Sequence, residues 1–361
     1  MCKNFDSEAW FKEGARLFGQ GRYSEAIDAY DRAIQADPMF AAAWREKGAA
    51  LLKLDRYDEA IGSLDRSLEI DPSDAEAWNN RGEALSGLGR HEEAIEAYDR
   101  AMEIDPEYAL DWIEKGLEIN PLDADAWSCR GLALYSLGRY EEAVDAYNRA
   151  LELNPEDALS WQSKGEALHI LGDFREAVRA YEKVIEIDPA DLAAWKGRGD
   201  ALYALRRYDE AAQSYDAVVR ADPNNVLAWT GIGVALRDMG RNDEAMECFE
   251  KAIEIDADFS PAWFGKGVAL RNMRRYREAR GCFEKTTETD PRNLQAWMNL
   301  GFVQSIMGDY EDAIRSFEKA IELDMLDADA WYNKGLALKA VERYPEADQA
   351  LLTALELRRL Q

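Results

Sequence analysis

The chain has 361 residues, 47 % of them apolar, and 71 acidic side chains against 44 basic ones give a formal net charge of −27. That balance argues against binding nucleic acid through its phosphates and against docking on anionic membrane surfaces. The four cysteines (Cys2, Cys129, Cys248, Cys282) lack metal-ligand spacing, no apolar leader opens the chain and no stretch nears a membrane span, so a reduced, cytoplasmic protein without cofactor is expected.

The tryptophans set the organisation. They stand at 10, 44, 78, 112, 127, 161, 195, 229, 263, 297 and 331, always 34 apart except for one step of 15. With each Trp as position 4, full units begin at 7, 41, 75, 124, 158, 192, 226, 260, 294 and 328. A 15-residue remnant, 109–123, interrupts them. The expected division is three repeats over 7–108, the remnant as one linking or capping helix, and seven repeats over 124–361.

Within each unit the pattern predicts helix A over roughly positions 2–14 and helix B over roughly 18–31. Position 8 is Gly in every unit (Gly14 to Gly335) and position 20 is Ala (Ala26 to Ala347), so two helices can approach closely, with the Trp expected buried beside them. Position 15 is Gly in six units, suited to a left-handed residue ending helix A. Position 19 is acidic in all ten, where the N-terminus of helix B favours negative charge. Pro at position 32 ends helix B; Ala257 and Met325 replace it, which predicts softer boundaries there. The Gly-x-Gly at 197–199, 231–233 and 265–267 reads as position 8 plus a chance Gly at position 6, inside a helix and not as a nucleotide loop.

The pattern W-x-x-x-G-x-x-L … Y-x-x-A-x-x-x-Y/F-x-x-A … P resembles the tetratricopeptide-repeat (TPR) signature along the whole chain. The resemblance implies an all-α, right-handed α-solenoid of helix-turn-helix hairpins, with no attached catalytic domain. One departure recurs: position 7, commonly Leu in the family, is mostly Lys or Arg here (Lys47, Arg81, Arg130, Lys164, Arg198, Lys266, Lys334). Its stem can pack while its charge reaches an acidic neighbour. The remnant is either a tolerated deletion or a module boundary. Residues 1–123 hold 14 basic and 28 acidic residues, against 30 and 43 in the longer remainder.

No catalytic constellation or metal cluster is legible. The resemblance implies a non-enzymatic scaffold that binds a peptide or partner protein in a concave groove lined by helix-A positions 2, 5, 9, 12 and 13. The carboxylate clamp by which some family members hold chaperone EEVD-type tails is absent: its first two positions read Phe11 and Ala15, Arg45 and Ala49, Asn79 and Glu83 in the first three units. Early units offer Glu8, Glu76, Glu83, Asp125, Glu166 and Asp200 to the groove, whereas later ones offer Arg237, Arg271 and Lys339 at position 12. Beside these stand Phe264, Val268, Met298, Phe302, Tyr332 and Leu336 at positions 5 and 9, a mixture enriched in interface cores. Scattered apolar surface is ordinary, so contiguity over three repeats carries the reading. Repeat 260–293, with eight basic and four acidic residues, is either paired with acidic neighbours or docks an acidic face.

The alternative function is self-association. Leu355, Leu357 and Leu360 follow the internal pattern of helix B, whose residues at positions 28 and 30 are expected to pack on a following helix A. Without one they would face water and support a weak homodimer.

Overall fold

The computed structural model describes residues 3–360, and every described element is a helix. Two compact units divide the chain, residues 1–171 and 172–361. The first holds α1 (Lys3–Gly19), α2 (Tyr23–Ala36), α3 (Ala41–Leu52), α4 (Tyr57–Ile70), α5 (Ala75–Gly87), α6 (His91–Ile104), α7 (Pro106–Ile119), α8 (Ala124–Ser136), α9 (Tyr140–Leu153) and α10 (Ala158–Ile170). The second holds α11 (Phe174–Ile187), α12 (Leu192–Ala204), α13 (Tyr208–Ala221), α14 (Val226–Asp238), α15 (Asn242–Ile255), α16 (Ser260–Asn272), α17 (Tyr276–Thr289), α18 (Leu294–Met307), α19 (Tyr310–Leu323), α20 (Ala328–Ala340) and α21 (Tyr344–Leu360). Each is an all-α solenoid of antiparallel hairpins. The sequence-based division at 109–123 is a different partition, since α7 lies inside the first unit.

Boundaries follow from local chemistry. Asp74, Asp123, Asp157, Asp191, Asn225, Asn293 and Asp327 cap A helices by accepting a backbone N–H of the first turn. Helix A ends on a left-handed residue at position 15: Gly21, Gly89, Gly138, Gly172, Gly240 and Gly308 have φ between 73° and 88°. Asp55, Arg206, Arg274 and Glu342 hold the same conformation without being glycine. Most B helices open on Arg at position 16, which forks onto the position-19 glutamate, as in Arg139 with Glu142 (2.7 and 2.6 Å) and Arg275 with Glu278 (2.8 and 2.7 Å). This fork holds the acidic residue that the sequence assigns to the helix dipole alone; its signal was an Arg three residues before the Glu.

Packing revises the role of tryptophan. The rings at position 4 are half-buried or exposed, and the fully buried rings stand at position 24: Tyr30, Tyr147, Phe249, Phe283 and Phe317. Each lies against the position-8 glycine; a Cβ on Gly267 would stand 2.7 Å from Phe283. The Gly at position 6 is not a chance residue. Gly197 faces Tyr181 and Gly231 faces Tyr215, each ring belonging to the preceding repeat, so Gly-x-Gly receives two successive rings. Tryptophan instead locks one repeat onto the next, its Nε1 donating to the carbonyl six residues earlier, as from Trp195 to Pro189 (3.0 Å). Ala257 and Met325 accept the same bond from Trp263 (2.8 Å) and Trp331 (3.0 Å), so those boundaries are no softer. The lock uses a backbone oxygen, and Asp256 and Asp324 turn the chain by accepting from the N–H two residues on.

The basic residue at position 7 behaves as expected. Lys47 reaches Asp31 (2.6 Å), Arg81 reaches Asp65 (2.7 Å) and Lys334 reaches Glu318 (2.8 Å). Each also lies over its own repeat's Trp, 5.5, 5.7 and 5.5 Å from the ring centroid.

The remnant forms α7. Asp105 serves both neighbours: its backbone N–H closes α6 on Ala101, and its carboxylate caps α7 at Tyr108. Pro106, the expected terminator of α6, is also the first residue of α7, where its missing N–H costs nothing. Ala109, Leu110 and Leu117 are buried, the first two in a core with Ala133, Leu134 and Tyr147.

Candidate functional site

Helix-A positions 5, 9 and 12 lie one above another on a helix face. In the second unit this produces parallel rows on α14, α16, α18 and α20. Position 12 supplies Arg237, Arg271, Ser305 and Lys339; position 9 supplies Val268, Phe302 and Leu336; position 5 supplies Phe264, Met298 and Tyr332.

The expected residues are not equally available. Phe264, Val268 and Met298 are half-buried in the repeat cores, and Phe264 leans on Phe283 with centroids 6.0 Å apart. Tyr332 is covered on one face by Arg358, 4.9 Å from its centroid, which also pairs with Asp329 (2.6 Å). Phe302 and Leu336 are exposed and line a pocket of about 220 Å³ with Ser305, Ile306, Tyr310 and Asn333. Ile306, at groove position 13 and also exposed, was passed over in the sequence. Lys339 is exposed.

A chain of polar contacts runs beside these rows. The Tyr203 hydroxyl donates to Asp238 (2.5 Å), and Arg237 Nε donates to the other oxygen of that carboxylate (2.8 Å). One repeat on, Arg271 donates to the amide oxygen of buried Asn299, whose own amide donates to the Gln295 carbonyl (2.7 Å). Among the described residues no carboxylate reaches Arg271. Burial, and then the neighbouring Arg237 charge, hold its guanidinium below the ordinary arginine range. Tyr203 and Asp238 were legible only as groove positions 12 and 13, and Asn299 stands at position 6, outside that set; their pairing needs adjacent A helices to be juxtaposed.

The first unit differs. Its half-buried Arg45 is met by Glu46 (2.9 Å), Asp74 (3.0 Å) and Glu76 (3.2 Å). Burial pushes the Glu76 carboxyl up. Glu76, read as an acidic groove residue, is therefore engaged within the protein. In the basic repeat, Lys266, Arg275, Arg280 and Lys285 are paired with acids, Lys266 to Glu250 (2.8 Å) and Lys285 to Asp258 (3.1 Å).

Leu355 is 49 % exposed, whereas Ile34, Leu68, Leu151 and Ile321 at the same position are at most 9 % exposed. Leu357 is half-buried, contrary to expectation; inside the array the same position varies, with Ile70 and Ile187 half-buried and Leu153, Ile255 and Leu323 exposed. The side chain of Leu360 lies outside the described residues. Cys248 and Cys282 are buried, and burial pushes both thiols up to about 11, which suits packing and not redox exchange. Among the described residues, no group of three or more His, Cys, Asp or Glu side chains could hold a metal ion, and no helix is long and apolar enough to cross a membrane.

Models of the tetratricopeptide repeat match residues 11–75, 164–226 and 204–258, residues 75–108, 124–157 and 294–324, and residues 146–179, 248–281 and 316–349. The chain belongs to the TPR family. None of the TPR matches enters 109–123. Among solved structures the chain is similar to MamA, at 27 % identity over 45 % of this chain and 94 % of that one, with a TM-score of 0.42. It is similar to YrrB, described as a TPR protein with an unusual peptide-binding site, at 26 % identity over 53 % of this chain and 98 % of that one, with a TM-score of 0.42. The Cut9–Hcn1 structure of the APC/C matches at 16 % identity over 99 % of this chain and 82 % of that one, with a TM-score of 0.50, a likeness of fold. No curated protein matches the TPR chain significantly.

Proposed function

We propose that this TPR protein is a non-enzymatic scaffold that holds an acidic, amphipathic segment of a partner protein across the A-helix face of residues 226–340. The observation that supports this most is the exposed group of Phe302, Ile306 and Leu336 around one pocket. Covering one such side chain contributes roughly 1.5–3 kcal/mol. The charge beside it, from Arg237, Arg271 and Lys339, selects for acid in a chain that is otherwise strongly acidic. Partners recovered on the immobilised protein test the reading once each is purified and titrated. The double substitution Phe302→Ala and Leu336→Ala should weaken binding by at least tenfold with the helical signal unchanged. Unchanged affinity would place the partner elsewhere.

A further inference from the structure

We infer that Arg237 and Arg271 form a binding site for one carboxylate of the partner segment, presented next to apolar residues; this rests on the groove reading above. The argument starts from charge balance. Arg237 and Asp238 cancel, Asp238 is held from its other side by Tyr203, and among the described residues no ion pair joins it to Arg271. Among the described residues, Arg271 has only the neutral Asn299 amide oxygen. Two guanidiniums and one carboxylate leave a single positive charge, half-buried, in a chain of net charge −27. Elsewhere the fold satisfies such groups: half-buried Arg45 has three carboxylates, and half-buried Lys47, Arg81 and Arg198 each have one.

The missing counter-charge is one unit, which fits a carboxylate better than a doubly charged phosphate ester. A planar carboxylate also matches the guanidinium fork. An anion between them relieves the charge repulsion between Arg237 and Arg271, which adds to burial in holding Arg271 below the ordinary arginine range. The flanks define the rest of the ligand. Phe264, Val268 and Arg271 share one face of α16 at intervals of four and three residues, and Asn299, Phe302 and Ile306 share one face of α18 at three and four. A carboxylate at the arginines therefore brings its chain neighbours over Val268 and Phe302.

The probe is a fluorescein-labelled nonapeptide alternating glutamate and leucine, compared with the same peptide carrying glutamine for glutamate, by fluorescence anisotropy on the full chain. At low salt the glutamate peptide should bind at least tenfold more tightly, the size of one charge-assisted hydrogen bond. That preference should collapse towards one in Arg271→Gln and in Arg237→Gln, persist in Arg315→Gln, and shrink in the wild type at 0.5 M salt. Equal binding of the two peptides by the wild type, or a preference that survives both arginine substitutions, overturns the carboxylate site and leaves the apolar groove standing. Failure of either peptide to bind at millimolar concentration overturns both. The salt comparison needs no variant and so decides the matter even if a substitution unfolds the protein.

Discussion

Arg130 reaches back sixteen residues to Glu114, at 3.0 Å, as Arg81 reaches Asp65 and Lys266 reaches Glu250 over the same interval. Glu114 belongs to the truncated repeat, so α7 takes the place of a helix B and hands α8 the surface that a complete repeat would supply. It also carries Trp112 of a helix A, whose Nε1, with no preceding turn to bond, donates to the Tyr108 hydroxyl (2.9 Å). One helix therefore combines the two halves of the lost repeat.

If α7 is an integral layer, Leu110→Ala should destabilise the first unit by about 2–5 kcal/mol, the cost of emptying a filled core site. Leu110 is 5 % exposed and Leu122 is 75 % exposed, so Leu122→Ala should change stability by less than about 0.5 kcal/mol. Urea unfolding followed by circular dichroism compares them. Equal, small effects would show that the remnant is a passive linker.

Of the three helical glycines in repeat 260–293, Gly267 and Gly281 are of opposite character. A Cβ on Gly267 meets the fully buried Phe283 ring at 2.7 Å, whereas one on Gly281 meets nothing within 4 Å. Gly267→Ala should cost about 1–3 kcal/mol through overpacking, and Gly281→Ala should add about 0.5–1 kcal/mol by restricting the unfolded chain. Chemical denaturation of the two single variants reads both signs.

Four repeats place a side chain where the backbone needs a left-handed residue. Arg274 (φ 61°) and Glu342 (φ 62°) should each be improved by glycine, by about 0.5–1 kcal/mol, because the Cβ clash disappears. Gly240→Ala (φ 80°) should lose a similar amount. Thermal melts of these three variants check the pattern; a destabilised Arg274→Gly would mean that its side chain holds the turn.

Alkaline pH should destabilise the protein progressively through its half-buried phenols and buried thiols. Burial pushes Tyr98 and Tyr203 up to about 12, and Cys248 and Cys282 up to about 11. A folded value above the unfolded one gives stability that is complete below the unfolded pKa, near 8.5 for thiol and 10 for phenol. That stability is lost as pH rises through the folded values. Urea midpoints should therefore fall steadily between about pH 9 and 12, and Cys282 should resist alkylation at pH 8 until the chain is unfolded. A midpoint that is flat across this range would contradict the burial of these groups.

Periodicity made the hairpins legible because every repeat meets the same neighbours, so a local pattern is repeated until it cannot be mistaken. Position 8, position 20 and the turn at position 15 could be read directly, since each answers a steric demand within one hairpin. The misassigned tryptophan shows the limit. Size suggests burial for the largest side chain, but which of two rings enters the core depends on where the next repeat lies. Tyr30 and Phe283 fill the space beside glycine, and tryptophan is left to bond a carbonyl between repeats.

The candidate site divides in the same way. A TPR solenoid, the acidic character of the chain, and the row of basic and apolar residues at positions 5, 9 and 12 were all readable from the chain, because those are properties of a single helix and its period. Packing between repeats made Asp238 shared between Arg237 and Tyr203, and set Arg271 against an amide with no acid in reach among the described residues. It alone left Phe302, Ile306 and Leu336 around one pocket while Phe264 turned into the core. Distance explains the division: Arg237 meets Asp238 beside it on one helix, but what else lies within a few ångströms comes from other repeats, Tyr203 reaching Asp238 across 35 residues and Arg271 reaching Asn299 across 28.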